Sequence, residues 1–424
     1  MSVMDVKGRV GLGPRQTTGE VAPPKRERSN GQRGVGGVEA LASTLWAGGP
    51  RFDVPSLAAV LFLVGLGVVM VTSASSALAA QSYHDVAFFA RRQAIFALLG
   101  CVALVVGATV PARVFERYAY PLLGASFVLL VLVFIPGIGR TAGGARRWIE
   151  LGPISLQAGE VVKFSLIVWL SRSLAEKVQD GRIARFSTGV LPHMLVPGFA
   201  VILLMGEPDF GTSVLLLGVT FVLLFVAGAR LGILFAALVA VVPLAIHQIV
   251  SSDYRMRRVL AFLDPWSHRS DIGYQITESL MTFGSGGLFG AGLGESKQKL
   301  FFLPAAHTDF IYAVIGEELG FIGAFAVLAA FFVIGARALQ SALGRNRPFH
   351  AYLTLGLVSL LLIQMLFNVC VVLGLVPTKG ITLPFVSYGG SSLIASMFMA
   401  GVLLRLVSEG LQRSSRAAGD EEAR

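Results

Sequence analysis

Charged residues are scarce in this sequence: they make up 14% of its 424 residues, whereas an ordinary soluble domain is near a quarter charged. Hydrophobic residues account for 54%, and the mean hydropathy is +0.71. This balance excludes a soluble globular domain, a disordered chain and a collagen-like repeat, and it favours a chain that lies in lipid. Cysteine is scarcer still, since only Cys101 and Cys370 are present, both in apolar runs. A disulfide framework is therefore excluded, and we interpret both as packing residues.

The two ends of the chain are polar and the region between them is apolar. Residues 1–52 are rich in Gly, Arg, Glu, Pro and Ser and lack the apolar core of a signal peptide, so we predict a disordered tail. Residues 53–408 form the predicted membrane domain, and 409–424 a C-terminal tail. A membrane helix needs about 20 apolar residues, and ten stretches qualify. They are Val54–Thr72, Gln93–Val110, Tyr118–Pro136, Leu156–Leu174, Leu191–Met205, Thr212–Val226, Leu231–Val250, Phe310–Ile334, Tyr352–Val376 and Ser387–Leu406.

The positive charges predict how these spans are oriented. An even number of spans places both termini on one side, and cytoplasmic loops carry the excess of Lys and Arg. With the N-terminus inside, 22 of the 35 Lys and Arg residues are cytoplasmic and 12 are outside. We therefore predict an all-α integral membrane protein of about ten spans with both termini in the cytoplasm. Because the net charge of +10 is explained by this asymmetry, it does not indicate nucleic-acid binding.

The longest interruption, residues 251–307, separates the seventh and eighth predicted spans and is predicted to lie outside. Its apolar residues favour packing onto the membrane domain. The Gly-rich run Gly290–Lys297 is superficially like a nucleotide loop. It lacks the Lys that follows the last Gly of a P-loop and has no strand before it, so we predict turns in a packed loop.

Two sites place charge inside or beside the spans, where an ionised group is costly and is retained mainly for function. Glu160 and Lys163 are three residues apart on one helix face, which predicts either an ion pair that neutralises itself or a functional site. Glu207 and Asp209 flank Pro208 at the end of the fifth span. For them a helix break, with Asp209 capping the sixth span, is the favoured interpretation.

A third site begins with His307, Thr308 and Asp309 and continues to Glu317 in the eighth span. Asp309 and Glu317 fall on one face of a helix about 12 Å apart at 1.5 Å per residue. That spacing is too long for two carboxylates that share a proton or act as a glycosidase pair. Asp309 is therefore a candidate for a single general base or a cation ligand. A helix cap remains an equal alternative.

Cations gather in the loops predicted to be outside. They include Arg146, Arg147, Arg255, Arg258 and Lys379, with Trp148 beside the first two. Arginine forks and lysine ammonium groups bind phosphate oxygens, so these residues suit an anionic lipid head group such as a diphosphate. Interfacial anchoring explains some of them equally well. No His or Cys residues show zinc-ligand spacing.

These motifs together resemble the SEDS family of bacterial membrane glycosyltransferases over roughly residues 54–408. The segments are Gly144–Ile149, Gln157–Glu160 with Lys163, Glu207–Thr212, Tyr254–Arg258, Gly273–Gln275, Leu303–Ile311, Gly316–Gly320, Pro377–Phe385 and Ser387–Ser392. Thr378-Lys379 and Glu207-Pro208-Asp209-Phe210 are more similar to the cell-division branch than to the elongation branch. One departure is Ala158-Gly159, where the family usually has Pro and Ser before Glu160.

The resemblance implies a ten-helix fold with a large extracytoplasmic loop between helices 7 and 8. It further implies polymerisation of lipid II into β-1,4 glycan strands during septal wall synthesis, with release of undecaprenyl diphosphate. Asp309 matches the family's essential aspartate and would be the catalytic base. The other candidate residues bind substrate: Arg146, Trp148, Glu160, Lys163, Arg255, Arg258, His307, Thr308, Glu317 and Lys379. A divalent cation, Mg or Mn, is an open alternative for offsetting the diphosphate charge.

The same resemblance implies partners: a class B penicillin-binding protein as the transpeptidase, other division proteins and membrane lipid. Three rival functions stay open. A lipid II flippase is compatible with charges inside a span, although transporter sites usually lie at the membrane midplane beside broken helices. An elongation polymerase and a non-catalytic scaffold for division proteins are the others.

Overall fold

The structure, a computed structural model, describes residues 52–142, 145–151, 154–296, 303, 305–343 and 347–422. The predicted N-terminal tail, apart from Phe52, lies outside these residues. The fold is mostly helical. The helices are α1 Val54–Tyr83, α2 Phe88–Thr109, α3 Ala112–Arg117, α4 Ala119–Val133, α5 Ala158–Gln179, α6 Leu191–Gly206, α7 Phe210–Val226, α8 Leu231–Val250, α9 Asp253–Leu263, α10 Tyr274–Ser285, α11 Ile311–Leu343, α12 Pro348–Val372 and α13 Gly390–Glu422. A π-helical turn, Phe186–Val190, leads into α6.

Each of the ten predicted spans falls on one of these helices, because a long apolar run in lipid satisfies its backbone only as a helix. Among the described residues, six helices are long and apolar enough to cross a membrane: α1, α2, α6 with its π turn, α11, α12 and α13. Three shorter apolar helices lie on α4, α7 and the first half of α8. The protein is therefore a multi-pass membrane protein, and the count of ten spans stays a prediction.

A three-stranded antiparallel sheet, which the sequence analysis did not predict, lies between α4 and α5. Its strands are β1 Gly139–Ala142, β2 Ala145–Leu151 and β3 Ile154–Gln157, in the order β1-β2-β3. Trp148 is paired with Arg140 on one side and with Gln157 on the other. Because β3 runs directly into α5, the sheet fixes the position of β2 relative to the first turn of that helix.

The long segment before α11 contains two helices. α10 packs against the spans, since its residues Ile276 and Ser279 are buried and the Ser279 hydroxyl donates to the Val372 carbonyl of α12 over 2.9 Å. The prediction that this segment packs onto the membrane domain is therefore confirmed for α10. α9 is amphipathic, which is typical of a helix that lies at a membrane interface.

α11 is not continuous, because Gly320 has a non-helical backbone (φ 67°, ψ −168°) that only glycine adopts readily. Residues 287–292, which include the start of the Gly-rich run, lie against this break. Their backbone forms hydrogen bonds with the helix on both sides of it. The hydrogen bonds run from Ala291 N to Glu317 O, from Gly292 N to Glu318 O, from Phe321 N to Gly287 O and from Ile322 N to Leu288 O. The approach is so close that a Cβ at Gly290 would lie 2.3 Å from the Glu318 carbonyl oxygen. These glycines therefore permit backbone contact and do not form a phosphate loop.

The segment 373–389 between α12 and α13 has no regular secondary structure, yet much of it is buried. It reaches the middle of α1, where a Cβ on Gly67 would lie 2.7 Å from the Phe385 carbonyl oxygen. Phe385 is buried with φ 68°, a conformation that is strained for a bulky residue. Irregular backbone is tolerated within a membrane domain where protein surrounds it or where it lines a water-filled cavity. Protein surrounds part of this segment, and another part of it lines a cavity.

Candidate active site

A cavity of about 1200 Å³, counting the space that opens to solvent, lies among β2, α5, α7, α12 and the segment 380–392. We call it the Asp309 cavity. It brings together four of the predicted residues: Trp148, Glu160, Lys163 and Thr308, with Asp309 itself. Further polar residues that line it were not among the predicted substrate-binding residues: Arg147, Gln157, Gln364, Thr382, Tyr388 and Ser392.

Asp309 lies in the turn that precedes α11 and is partly buried. Its carboxylate is close to Gly380, where a Cβ would lie 3.3 Å from Oδ2. Burial raises the pKa of Asp309 to about 6, while the charges of Arg258 and Arg147 act in the opposite direction. Asp309 is therefore mostly ionised at neutral pH and has a proton affinity suited to a general base.

The turn that carries Asp309 is tied to the irregular segment 373–389. The Ser387 hydroxyl donates to the Thr308 carbonyl over 2.6 Å, and the Tyr388 amide donates to the His307 carbonyl over 2.9 Å. The His307 ring packs between Phe89 and Tyr388 with centroid distances of 5.0 and 5.6 Å. Burial lowers the pKa of His307. His307 thus lies behind the cavity wall as a neutral aromatic contact.

Glu160 and Lys163 form the predicted ion pair on α5, with 2.8 Å between Glu160 Oε2 and Lys163 Nζ. Their side chains are 7% and 2% exposed. Lys163 also donates to Gln364 Oε1 over 3.3 Å, and the Gln364 amide donates to the Thr382 carbonyl over 2.9 Å. The pair is thus both neutralised and connected through α12 to the segment beside Asp309.

Asp209 caps α7, as predicted, because it accepts hydrogen bonds from the Thr212 amide and hydroxyl at 3.2 and 2.9 Å. It also lines the Asp309 cavity. Arg147 lies 3.9 Å from its carboxylate and donates to the carbonyls of Glu207 and Pro208. Burial, followed by the charge of Asp209, raises the pKa of Glu207 to about 8. Glu207 is therefore largely uncharged at neutral pH.

Besides His307, two predicted residues line neither this cavity nor the second one described below. Arg146 donates to the Phe134 carbonyl over 3.3 Å, while its neighbour Arg147 lines the cavity. Glu317 accepts a hydrogen bond from Ser296. The predicted common helix face of Asp309 and Glu317 does not exist, because α11 begins at Ile311 and Asp309 lies in the preceding turn.

A second cavity, the Lys379 cavity, has a volume of about 720 Å³ and adjoins the first at Ile381, which lines both. Its walls are mostly apolar and contain three cations: Arg255, Arg258 and Lys379. The Lys379 ammonium lies 4.0 Å from the centre of the Phe210 ring. Burial, with the charges of Arg258 and Arg255, lowers the pKa of Lys379 to about 8. A lipid with an anionic head group matches this combination of surfaces.

The predicted divalent cation has no matching ligand set within the described residues. No group of three or more His, Cys, Asp or Glu residues there is arranged to hold a metal ion. Arg255, Arg258 and Lys379 line the second cavity, and these cations can offset an anionic charge without a metal. We therefore derive no step through Mg or Mn.

The family described as "Cell cycle protein" (FTSW_RODA_SPOVE) matches residues 55–411 of this chain. The chain belongs to this family. The match spans α1 through most of α13, so it includes both cavities. It confirms the SEDS resemblance that the sequence motifs indicated.

Named relatives within the family support the division branch. The "Probable peptidoglycan glycosyltransferase FtsW" of Trichlorobacter lovleyi is 46% identical over 362 residues, which cover 85% of this chain and 94% of that protein. Among solved structures, one is described as "Structural coordination of polymerization and crosslinking by a peptidoglycan synthase complex". A chain in it is 30% identical to this one with a TM-score of 0.70, and the match covers 85% of this chain and 99% of that one. The Rod shape determining protein RodA of Thermus thermophilus is 29% identical with a TM-score of 0.63, covering 85% and 97%. The predicted similarity to the cell-division branch, to which the name FtsW belongs, is thus confirmed.

Sequence reasoning missed the uncharged polar residues of the cavity, among them Gln157, Thr382 and Tyr388. Single uncharged polar residues in apolar runs are also common as packing residues, so they gave no distinct pattern. Gln364 and Asn368, which are four residues apart on α12, did form a weak sequence pattern. Residues at that spacing share a helix face, and a polar pair on one face of an apolar span marks a polar contact inside the bundle.

Proposed function

We propose that this protein is a peptidoglycan glycosyltransferase that polymerises lipid II into β-1,4 glycan strands on the outer face of the cytoplasmic membrane during cell division. The observation that carries the proposal is the Asp309 carboxylate, partly buried at a polar cavity and next to a second cavity that combines apolar walls with three cations. Family membership and the FtsW relatives agree with it.

The reaction needs one base and a stabilised leaving group. Asp309 takes the proton of the acceptor sugar's 4-hydroxyl as that oxygen bonds to the anomeric carbon of the donor. The bond between that carbon and the diphosphate oxygen breaks, and undecaprenyl diphosphate leaves with the electron pair. Attack from the opposite face converts the α-linked donor into a β-linked product. Asp309 then releases the proton to water, and such base catalysis contributes about 10² to 10⁴-fold in rate.

The Lys379 cavity is the proposed site for the departing diphosphate. Arg255, Arg258 and Lys379 supply positive charge where negative charge develops. Its apolar walls suit the first part of the polyprenyl chain. In the Asp309 cavity, the Trp148 ring provides a face on which a sugar can stack, and Gln157 and Thr382 offer hydrogen bonds.

The cellular setting belongs to the same proposal. We place both termini in the cytoplasm from the distribution of Lys and Arg, and the enzyme at the division septum from its similarity to FtsW. A class B penicillin-binding protein is the proposed transpeptidase partner. The structural likeness to a chain from a peptidoglycan synthase complex supports this assignment.

The decisive experiment reconstitutes the protein with its penicillin-binding partner and purified lipid II, and compares wild type with Asp309→Asn at equal folded amounts. Polymer from wild type, reduced at least 100-fold in the variant, is the expected result. Equal polymer from both would remove Asp309 from the chemistry. No polymer from either, with lipid II still transferred across proteoliposomes, would favour the flippase. Neither polymer nor transfer would favour the scaffold.

A further inference from the structure

Asn368 on α12 is buried, with 1% of its surface exposed. Its side-chain nitrogen Nδ2 donates two hydrogen bonds of 2.8 Å each, one to the main-chain oxygen of Asp309 and one to that of Ile381. One side chain therefore connects the turn that carries Asp309 with the segment that carries Gly380. Among the residues that the structure describes, no other side chain donates a hydrogen bond to Asp309.

The orientation of this amide follows from its partners. Both partners are carbonyl oxygens, which only accept, so the atom that faces them must be the donor Nδ2 and not Oδ1. Oδ1 points elsewhere and makes no hydrogen bond to a described residue. Asparagine is consequently needed as a double donor, and neither an aspartate nor a leucine of similar size can replace it.

The bridge lies where the Asp309 carboxylate approaches Gly380. Oδ2 of Asp309 lies 3.3 Å from the Cβ position of Gly380, and Ile381 follows Gly380 directly. Asn368 thus holds the main chain on both sides of this contact. Neither side has a helix or strand of its own to hold it, since Asp309 precedes α11 and Gly380 lies in the irregular segment.

We propose that Asn368 is a positioning residue, whose amide holds the Asp309 carboxylate at the reaction centre by linking its main chain to the Gly380–Ile381 segment. The inference rests on the proposed function, in which Asp309 is the base. A base must lie within about 2.6–3.2 Å of the proton it takes. A displacement of about 1 Å can cost about 100-fold in rate, so the bridge acts on the chemical step.

The test uses two variants of nearly equal size, Asn368→Asp and Asn368→Leu, in the reconstituted complex with lipid II. Both lose the two donated hydrogen bonds. We expect kcat to fall about 100-fold while KM for lipid II stays within about twofold, because the surfaces that bind the substrate are unchanged. Thr354→Val is the matched control, since Thr354 is a buried polar residue of α12 whose hydroxyl bonds only within its own helix.

A pH profile separates positioning from general damage to the fold. Release of the turn lets water reach Asp309, so the acidic limb of kcat/KM moves from near pH 6 toward the ordinary range of aspartate. The charged and titratable groups that line the cavity around Asp309 or act on it are Arg147 on β2, Glu160 and Lys163 on α5, Asp209 before α7, Arg258 on α9 and Tyr388 in the irregular segment, with Lys379 next to Gly380 and His307 behind the cavity wall. None of them is altered in Asn368→Leu, so a shift in that variant reports the position of Asp309. Asn368→Asp adds a carboxylate that itself raises the pKa of Asp309, so its pH profile is not used.

The outcomes distinguish this inference from the proposed function. If Asp309→Asn is inactive but both Asn368 variants keep the wild-type kcat and the Leu variant keeps the acidic limb, the positioning role is wrong and the proposed function stands. If Asp309→Asn stays active, the proposed role of Asp309 as the base fails and this inference fails with it, whereas absence of polymer from wild type would reject the proposed function itself. Should the Leu variant not fold, Asn368→Ser serves instead, because the polar gap can hold a water that preserves the fold without the direct bonds. Wild-type kcat in that variant would also overturn the inference.

Discussion

Lys163 Nζ lies 2.8 Å from Glu160 Oε2 on the first turns of α5, and both side chains are almost completely buried. Removing one partner of such a pair leaves a charge without compensation in a medium that solvates it poorly. We expect Lys163→Met to lower the free energy of unfolding by about 3–5 kcal/mol. Denaturant titration of the purified protein in detergent measures it.

A double variant and an exposed pair serve as controls for that prediction. Glu160→Gln combined with Lys163→Met leaves no buried charge, so most of the stability should return. Arg140 and Glu150 form an ion pair whose side chains are 63% and 52% exposed, and Arg140→Met should cost less than about 1 kcal/mol. Equal losses for the buried and the exposed pair would contradict the argument.

Asp309 and Lys379 both lie next to Gly380 and both have a shifted pKa, which predicts the pH dependence of polymerisation. Asp309 must be ionised to act as a base, so kcat/KM falls as the pH drops below about 6. Lys379 must be charged to offset the diphosphate, so kcat/KM also falls as the pH rises above about 8. Polymerisation rates measured from pH 5 to pH 9.5 test this bell shape.

Lys379→Arg identifies the source of the alkaline limb. Because guanidinium stays protonated throughout this range, the variant should keep its activity above pH 8, even if the rate at neutral pH is lower. The acidic limb should not move. An unchanged alkaline limb in the variant would assign that limb to another group.

Arg258 and Arg257 are neighbours on α9 with different surroundings. Arg258 lines the Lys379 cavity and donates to the Thr378 carbonyl over 2.8 Å, whereas Arg257 is exposed. Loss of a charged hydrogen-bond donor from the diphosphate site should raise KM for lipid II about tenfold or more. We expect this for Arg258→Ala and less than a twofold change for Arg257→Ala in the same polymerisation assay. Similar effects of both would point to general attraction at the membrane surface.

Gly320 in α11 is a position where a larger residue should destabilise the protein. Its backbone conformation is nearly restricted to glycine, and a Cβ there would lie 2.3 Å from the Gly290 nitrogen. We expect Gly320→Ala to destabilise the protein by at least about 1–3 kcal/mol, measured by thermal unfolding in detergent. Gly124→Ala in α4 is the control: no atom lies within 4 Å of its Cβ position, and alanine favours a helix, so stability should hold or rise.

The sequence predicted the helices and the residues that are charged in an apolar setting, because both depend on local composition. It predicted the pair of Glu160 with Lys163 from spacing, and it named Asp309, which lines the polar cavity, from its position and from family resemblance. It named Arg146 as the substrate-binding residue, whereas Arg147 lines the cavity, because which of the two faces inward depends on pairing with strands β1 and β3. The break at Gly320 was equally hidden, because the hydropathy of α11 continues across it.

The irregular segment around Phe385 has a consequence for the order in which the protein is made. Its backbone contacts Gly67 on the first helix, and Tyr388 and Ser392, near the start of the last helix, form part of the wall of the Asp309 cavity. Chains are synthesised from the N-terminus. The site therefore takes shape only when the final helix has entered the membrane, and a chain that ends before residue 388 leaves Glu160 and Lys163 without their enclosing wall.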